Sequence, residues 1–283
     1  MSPDPTPSPT DVLVAVDALA ARLRGGDPPV LLDVRWNLTG PPGRPEYEAG
    51  HLPGAHWVDL ETELSGPARG AGGRHPLPDP AVLTAALQRV GVSAGTDVVV
   101  YDGRSSLAAA RLWWLLLDAG HDHVQVLDGG FAAWQAAGRP VETGPDRAAE
   151  PGTFVARPGH LPRVDAAAIL AGGGGLELVD VRAAERFTGA AEPVDPVAGH
   201  IPGAVNRPST GNQDEDGRFL PATRIAERFA DLPAPVLYCG SGITAAHSLL
   251  ALRSAGVAGG RIYPGSWSDW VADPSRPVAT GPR

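Results

Sequence analysis

Short aliphatic, β-branched runs alternate with longer alanine- and leucine-rich stretches along most of this chain. Val30-Leu-Leu-Asp-Val-Arg35, Asp97-Val-Val-Val-Tyr-Asp102, Leu176-Glu-Leu-Val-Asp-Val-Arg182 and Pro235-Val-Leu-Tyr-Cys239 have the length and composition of buried strands. Ala81–Val90, Ser106–Ala119, Thr223–Ala230 and Thr244–Ser254 read as helices. Strands that alternate with helices predict an α/β fold in which helices cover both faces of a parallel sheet.

The pattern occurs twice. Val30–Arg35 is followed by Ala49-Gly-His-Leu-Pro-Gly-Ala55, Asp97–Asp102 and Asp128-Gly-Gly-Phe-Ala-Ala-Trp134. The second set is Leu176–Arg182, Ala198-Gly-His-Ile-Pro-Gly-Ala204, Pro235–Cys239 and Pro264-Gly-Ser-Trp-Ser-Asp-Trp270. The offset is 147 residues from Asp33 to Asp180 and 137 from Asp102 to Cys239, so small insertions separate the motifs. A repeat of this length means two similar domains. They are expected over residues 10–142 and 162–283, joined by a Pro-, Gly- and charge-rich linker at 143–161.

Composition narrows the chemistry. The 283 residues carry a net charge of −9, which argues against nucleic acid as a partner. All 23 basic residues are arginine, so neither a lysine Schiff base nor a P-loop is available. No apolar run approaches the ~20 residues of a membrane helix. The first ten residues read as a disordered tail and not as a secretory signal. One cysteine permits no internal disulfide, in keeping with a cytoplasmic location. No His/Cys cluster has metal-ligand spacing, and no metal or cofactor is expected.

That cysteine, Cys239, ends a predicted strand and opens the turn Cys-Gly-Ser-Gly-Ile before a helix. Glycines let such a turn curl its N–H groups inward, and a helix N-terminus adds positive potential. Both stabilise a thiolate, which is the nucleophilic form of the side chain. His51 and His200 lie in Gly-His-x-Pro-Gly turns of both copies, which favours a structural role. Asp33 and Asp180 are expected to anchor loops.

Asp180-Val-Arg with Arg186-Phe, Gly199-His-Ile-Pro-Gly-Ala and Cys239-Gly-Ser-Gly-Ile-Thr244 resemble the tandem-domain rhodanese and 3-mercaptopyruvate sulfurtransferase family. Asp33-Val-Arg-Trp36, Gly50-His-Leu-Pro-Gly and Asp128-Gly-Gly carry the same resemblance in the first copy. It implies a catalytic second domain and a silent first one, where Asp102 stands at the cysteine position. It also implies ping-pong transfer of a sulfane sulfur, through a persulfide on Cys239, to cyanide or a thiol, including a thioredoxin-like acceptor. The N–H groups of Gly240, Gly242, Ile243 and Thr244 would hold the persulfide charge.

The uncharged Gly240 and Ser241 resemble the mercaptopyruvate branch more than thiosulfate-using rhodaneses, which tend to carry basic residues there. That branch implies a triad of Ser241, His75 and a carboxylate: Glu61, with Asp59 as the second candidate. Arg186 matches the family's carboxylate- or sulfonate-binding arginine; its other reading is a surface residue paired with Glu185 or Glu192. Val194 stands where a second arginine is usual, which keeps thiosulfate open as donor. A Cys-x5-Arg phosphatase is excluded, because the arginine position holds Ala245. A non-enzymatic persulfide carrier stays open.

Overall fold

The computed structural model describes residues 12–26, 28–68, 72–172 and 175–282, so the tail expected over residues 1–10 lies outside them. In the first half the elements are β1 (Leu13–Val14), α1 (Val16–Leu23), β2 (Val30–Asp33), α2 (Gly43–Ala49), β3 (His56–Trp57) and α3 (Pro80–Arg89). β4 (Val98–Tyr101), α4 (Leu107–Asp118), β5 (Val124–Leu127) and α5 (Gly130–Ala136) complete it. The second half has α6 (Ala166–Gly172), β6 (Leu178–Asp180), α7 (Ala184–Thr188), β7 (Val205–Asn206) and α8 (Ala222–Arg228). β8 (Val236–Tyr238), α9 (Ile243–Ser254), β9 (Arg261–Ile262) and α10 (Ser266–Trp270) follow.

Both sheets are parallel, with order β1-β5-β4-β2-β3 in the first and β7-β6-β8-β9 in the second. The topologies are the same once β1 is set aside. Its place beside β9 is kept by a single bridge between Arg163 and Ile262. β4 and β8 are buried at every residue, as strands covered on both faces must be. The helices expected from alanine and leucine content are α3, α4, α8 and α9, each within a residue or two of its expected ends.

Local devices also repeat. Asp33 takes the backbone N–H and guanidinium of Arg35, and Asp180 those of Arg182. Those arginines donate to the carbonyls of Gly50 and Gly199, which ties each Gly-His-x-Pro-Gly turn to its sheet. His51 and His200 stack on Tyr47 and Phe187 and bond main-chain carbonyls, so both are structural.

The two halves share one core. α4 packs on α9, and Trp113, Trp114 and Leu116 join Ala245, Ala246, Leu249 and Leu250 in a single apolar cluster that continues under both sheets. Separate clusters cover each sheet's outer face, around Tyr47 and Trp134 in one and Trp267 and Trp270 in the other.

His247 lies in this seam, fully buried and stacked 4.9 Å from the Phe219 ring, with no hydrogen bond to either ring nitrogen. Burial pushes its pKa down to about 3. An unfolded histidine takes a proton near 6.5 while the folded one does not, so stability is complete above that value and is lost as pH falls toward 3. His247→Leu should flatten the decline of Tm between pH 6.5 and 4 and barely change Tm at pH 8; an unchanged slope would remove His247 as the titrating group.

Candidate active site

Cys239 follows β8 and is 2% exposed. Its N–H donates to Ser266 Oγ at 3.1 Å, and its carbonyl accepts from Trp267 N–H at 2.9 Å, which fixes the residue from the far side of the loop. Gly242, at φ +85°, turns the chain into α9 and donates its N–H to Cys239 Sγ at 3.1 Å. A Cβ at Gly242 would strike the Pro264 carbonyl, so only glycine fits. The Ser266 Oγ hydroxyl also lies near the sulfur, at 3.9 Å. Of the expected N–H donors only Gly242 meets the sulfur itself; Ile243 is buried in the shared core.

The matching loop of the first domain shows what the remaining donors are positioned for. Asp102 Oδ1 accepts from Arg104 and Ser106 N–H, and Oδ2 from Ala108 and Ala109 N–H, at 2.9–3.3 Å. Counted from the first helical residue, Ser106, Ala108 and Ala109 correspond to Gly242, Thr244 and Ala245. A carboxylate reaches one atom further into the nest than a cysteine sulfur does. The first domain therefore keeps its anion nest filled with its own side chain.

Each domain also extends an arm over its partner's loop. From the first domain, Gly72 N–H donates to Asp269 Oδ1 at 2.7 Å and Arg74 N–H to Ser268 Oγ at 3.0 Å. From the second, Phe219 N–H donates to Asp128 Oδ1 at 3.0 Å. The first arm delivers His75, whose Nδ1 lies 2.7 Å from Ser241 Oγ; its Nε2 lies 3.2 Å from Glu61 Oε1. Trp36 Nε1 holds the same Glu61 oxygen at 2.6 Å and meets the His75 ring edge-on. Burial pulls the His75 pKa below 6.5 against the opposing pull of Glu61, which is 55% exposed and well solvated. Asp59 does not complete this chain, because its carboxylate caps the N–H groups of Glu61 and Thr62.

Arg186 pairs with Glu192, as its surface reading held, but it is only 15% exposed and also bonds Asp195 at 2.9 Å. Arg74, from the opposite arm, bonds the other oxygen of Asp195. Both guanidinium groups lie over Gly240: a Cβ there would be 2.9 Å from Arg74 Nη2 and 3.7 Å from Arg186 Nη1 and Nη2. The loop is uncharged in sequence, yet two cations face it in space.

Beneath the loop, Arg111 of α4 is fully buried and donates Nη2 to the carbonyls of His75 and Pro76 at 3.0 and 3.2 Å. Its Nε and Nη1 have no hydrogen bond, and Nη1 lies beside Gly242. Burial pulls its pKa down to about 10, a fall opposed by charge on Cys239. Arg74, Arg111 and Ser266 escaped the sequence reading. Ser266 was detectable, because Pro264-Gly-Ser stands where the first copy has Asp128-Gly-Gly, and Ser266 takes the positive φ that Gly130 takes there.

The fold and loop define a two-domain α/β protein whose single cysteine lies in a glycine turn that side chains of both domains approach. The chain belongs to the rhodanese-like domain family, which it matches over residues 15–137 and 164–273. A Pseudomonas aeruginosa protein named as a 3-mercaptopyruvate sulfurtransferase is 49% identical over 280 residues, covering 95% of this chain and 98% of its own. SseB of Mycobacterium tuberculosis, named as a thiosulfate sulfurtransferase, is 44% identical over 95% of this chain and 97% of its own. The crystal structure of the 3-mercaptopyruvate sulfotransferase SseA from Escherichia coli superposes with a TM-score of 0.79 at 30% identity, over 92% of this chain and all of that one.

The two arms offer a matched pair of tests. Gly73 and Gly217 both have positive φ, and a Cβ at either would collide, with Ser268 Oγ and the Gly265 carbonyl or with Arg104 respectively. Gly73→Ala and Gly217→Ala should each cost about 1–2 kcal/mol of stability. Gly73→Ala should also lower kcat at least ~10-fold by displacing His75, with kcat unchanged in Gly217→Ala. Paired melting curves and steady-state kinetics check this.

Proposed function

We propose that this protein is a 3-mercaptopyruvate sulfurtransferase that passes sulfane sulfur to cyanide or a thiol through a persulfide on Cys239. The observation that carries the reading is the chain from Ser241 Oγ to His75 to Glu61, assembled across the domain interface beside the Cys239 nest. Thiosulfate carries no thiol proton to relocate, whereas 3-mercaptopyruvate does.

The Cys239 thiolate attacks the donor's sulfur and forms the S–S bond. The sulfur–carbon bond breaks, and its electron pair passes to the methylene carbon. That carbon takes up the proton that the donor's thiol gives to the Ser241–His75 pair, so pyruvate leaves and a persulfide anion remains. The N–H groups of Gly242, Thr244 and Ala245 hold its charge, as their counterparts hold Asp102. Cyanide or a thiolate then takes the outer sulfur and returns Cys239 as thiolate. With no second cysteine, the persulfide has no internal partner with which to form a disulfide.

His75 serves this cycle as the neutral imidazole, and its lowered pKa keeps it neutral at physiological pH. The acceptor is a small molecule or a thioredoxin-like thiol, and the compartment that suits it is the reducing cytoplasm. No described helix is long and apolar enough to cross a membrane. No group of three or more potential metal ligands occurs among the described residues.

With cyanide as acceptor, kcat/KM for 3-mercaptopyruvate should exceed that for thiosulfate by ~10-fold or more, about 1.4 kcal/mol. Cys239→Ser should abolish both. A preference for thiosulfate would make the protein a rhodanese in activity, and a single stoichiometric sulfur loading would make it a carrier.

The pH dependence tests the relay. Activity should fall as pH drops through the His75 pKa, below 6.5. Glu61→Gln removes the charge that favours imidazolium, so the acid limb of kcat/KM should move to lower pH, by a small amount because Glu61 is solvated. An unmoved limb would separate Glu61 from His75.

A further inference from the structure

The structure assigns to Arg74, reaching over from the first domain, the second cationic arm of the site that grips the sulfur donor's carboxylate. This inference rests on the sulfurtransferase reading and names a determinant of its substrate class. Among the described residues of the C-terminal domain, the guanidinium that faces Gly240, beside Cys239, is that of Arg186. Val194 has no charge to offer, and its N–H is turned to Glu192 Oε1 at 3.0 Å.

Three observations place Arg74 in that role. First, Gly240, next to the nucleophile, lies under both guanidinium groups, and even a methyl group there would press on Arg74 Nη2 at 2.9 Å. Gly240 does not have a positive φ, so its lack of a side chain serves space and not backbone conformation.

Second, Asp195 spans the two cations, with Oδ1 to Arg74 and Oδ2 to Arg186. Its side chain is 1% exposed, and burial pushes its pKa up against the pull of the arginines. A carboxylate shared between two guanidinium groups beside the nucleophile has the chemistry that a 2-oxo acid presents. Asp195 thus occupies the cations in the donor's absence, and an incoming carboxylate shares or replaces its contacts.

Third, Arg74 adjoins His75 in the chain, and its N–H is pinned to Ser268 Oγ at 3.0 Å. One short arm therefore fixes both the group that meets the donor's anionic end and the group that handles its proton. The other charges around the loop are committed elsewhere. Arg182 is paired with Asp180 and Glu192, and Asp269 with Arg276 and the Tyr263 hydroxyl. Arg111 faces the loop from below, on the α4 side, with Nη2 on main-chain carbonyls.

The test is titration of 3-mercaptopyruvate onto Cys239→Ser, which binds donor without reacting, alone and combined with Arg74→Ala or Arg74→Lys. Arg74→Ala should raise Kd by ~10- to 100-fold, the range for a charged hydrogen-bonded contact, and Arg74→Lys should recover part of the loss. In the reactive protein, Arg74→Ala should raise KM similarly and change kcat by less than ~3-fold. Mercaptoacetone, the uncharged analogue without a carboxylate, should bind both proteins equally.

A double-mutant cycle adds an independent arm. Gly240→Ala should weaken donor binding when Arg74 is present and cost little more in Arg74→Ala. A Kd unchanged within 2-fold, or an equal loss for mercaptoacetone, would overturn the inference. A loss confined to thiosulfate would overturn it too, by giving the pair to a sulfonate. If the unaltered protein fails to turn over 3-mercaptopyruvate, the functional reading falls, while the titrations on Cys239→Ser still decide the role of Arg74.

Discussion

Everything at the cysteine depends on the packing of α4 against α9. These helices follow the nucleophile-position loops of the two domains, and their contact merges two domain interiors into one apolar body. Interiors packed to crystalline density are not free to slide. Holding these two helices together fixes where each domain's arm falls on the other's loop. The 2.7 Å approach of His75 to Ser241 is a consequence of that seam, since the two residues have no covalent connection shorter than 166 positions. Arg111 extends the same logic, because a single buried side chain on α4 supports the His75 backbone from below and faces the loop of the other domain.

Within this near-symmetric frame the two loops differ at a few positions. Cys239 stands opposite Asp102, His75 opposite Phe219, Ser266 opposite Gly130, and Arg111 opposite His247. At the Cys239 end the nest is left partly open, with one N–H on the sulfur. At the Asp102 end four N–H groups are closed on a carboxylate. The cation of one end is matched by a neutral imidazole at the other. The two ends differ in where charge is held, on an almost unchanged backbone.

The sequence made much of this legible. The repeat, the parallel strands and the helices were visible because each is a local pattern of apolar positions. Cys239, Ser241 and Gly242 were visible because one loop contains them, and His75 and Glu61 because their short motifs resemble those of a known family. Arg74 and Arg111 were not, because their importance lies in what they approach across the seam. Judging the loop's charge from Gly240 and Ser241 gave an uncharged site. The fold brings two guanidinium groups over it from residues 74 and 186, which no reading along the chain can add together. Arg111 did leave a trace, as a lone charge in the run Leu107-Ala-Ala-Ala-Arg-Leu-Trp-Trp, where a structural helix has no use for one.

The carboxylate that fills the first domain's nest has a historical consequence. Exchanging Asp102 for a thiol would not reproduce the surroundings of Cys239. The loop there is one residue longer before its helix, its arm brings Phe219 where an imidazole is needed, and His247 leaves the seam without a cation on that side. Several coordinated changes would be required. The duplication has thus become a one-way division of labour. One half holds the cysteine, and the other is free to change only where it does not disturb the pieces it lends.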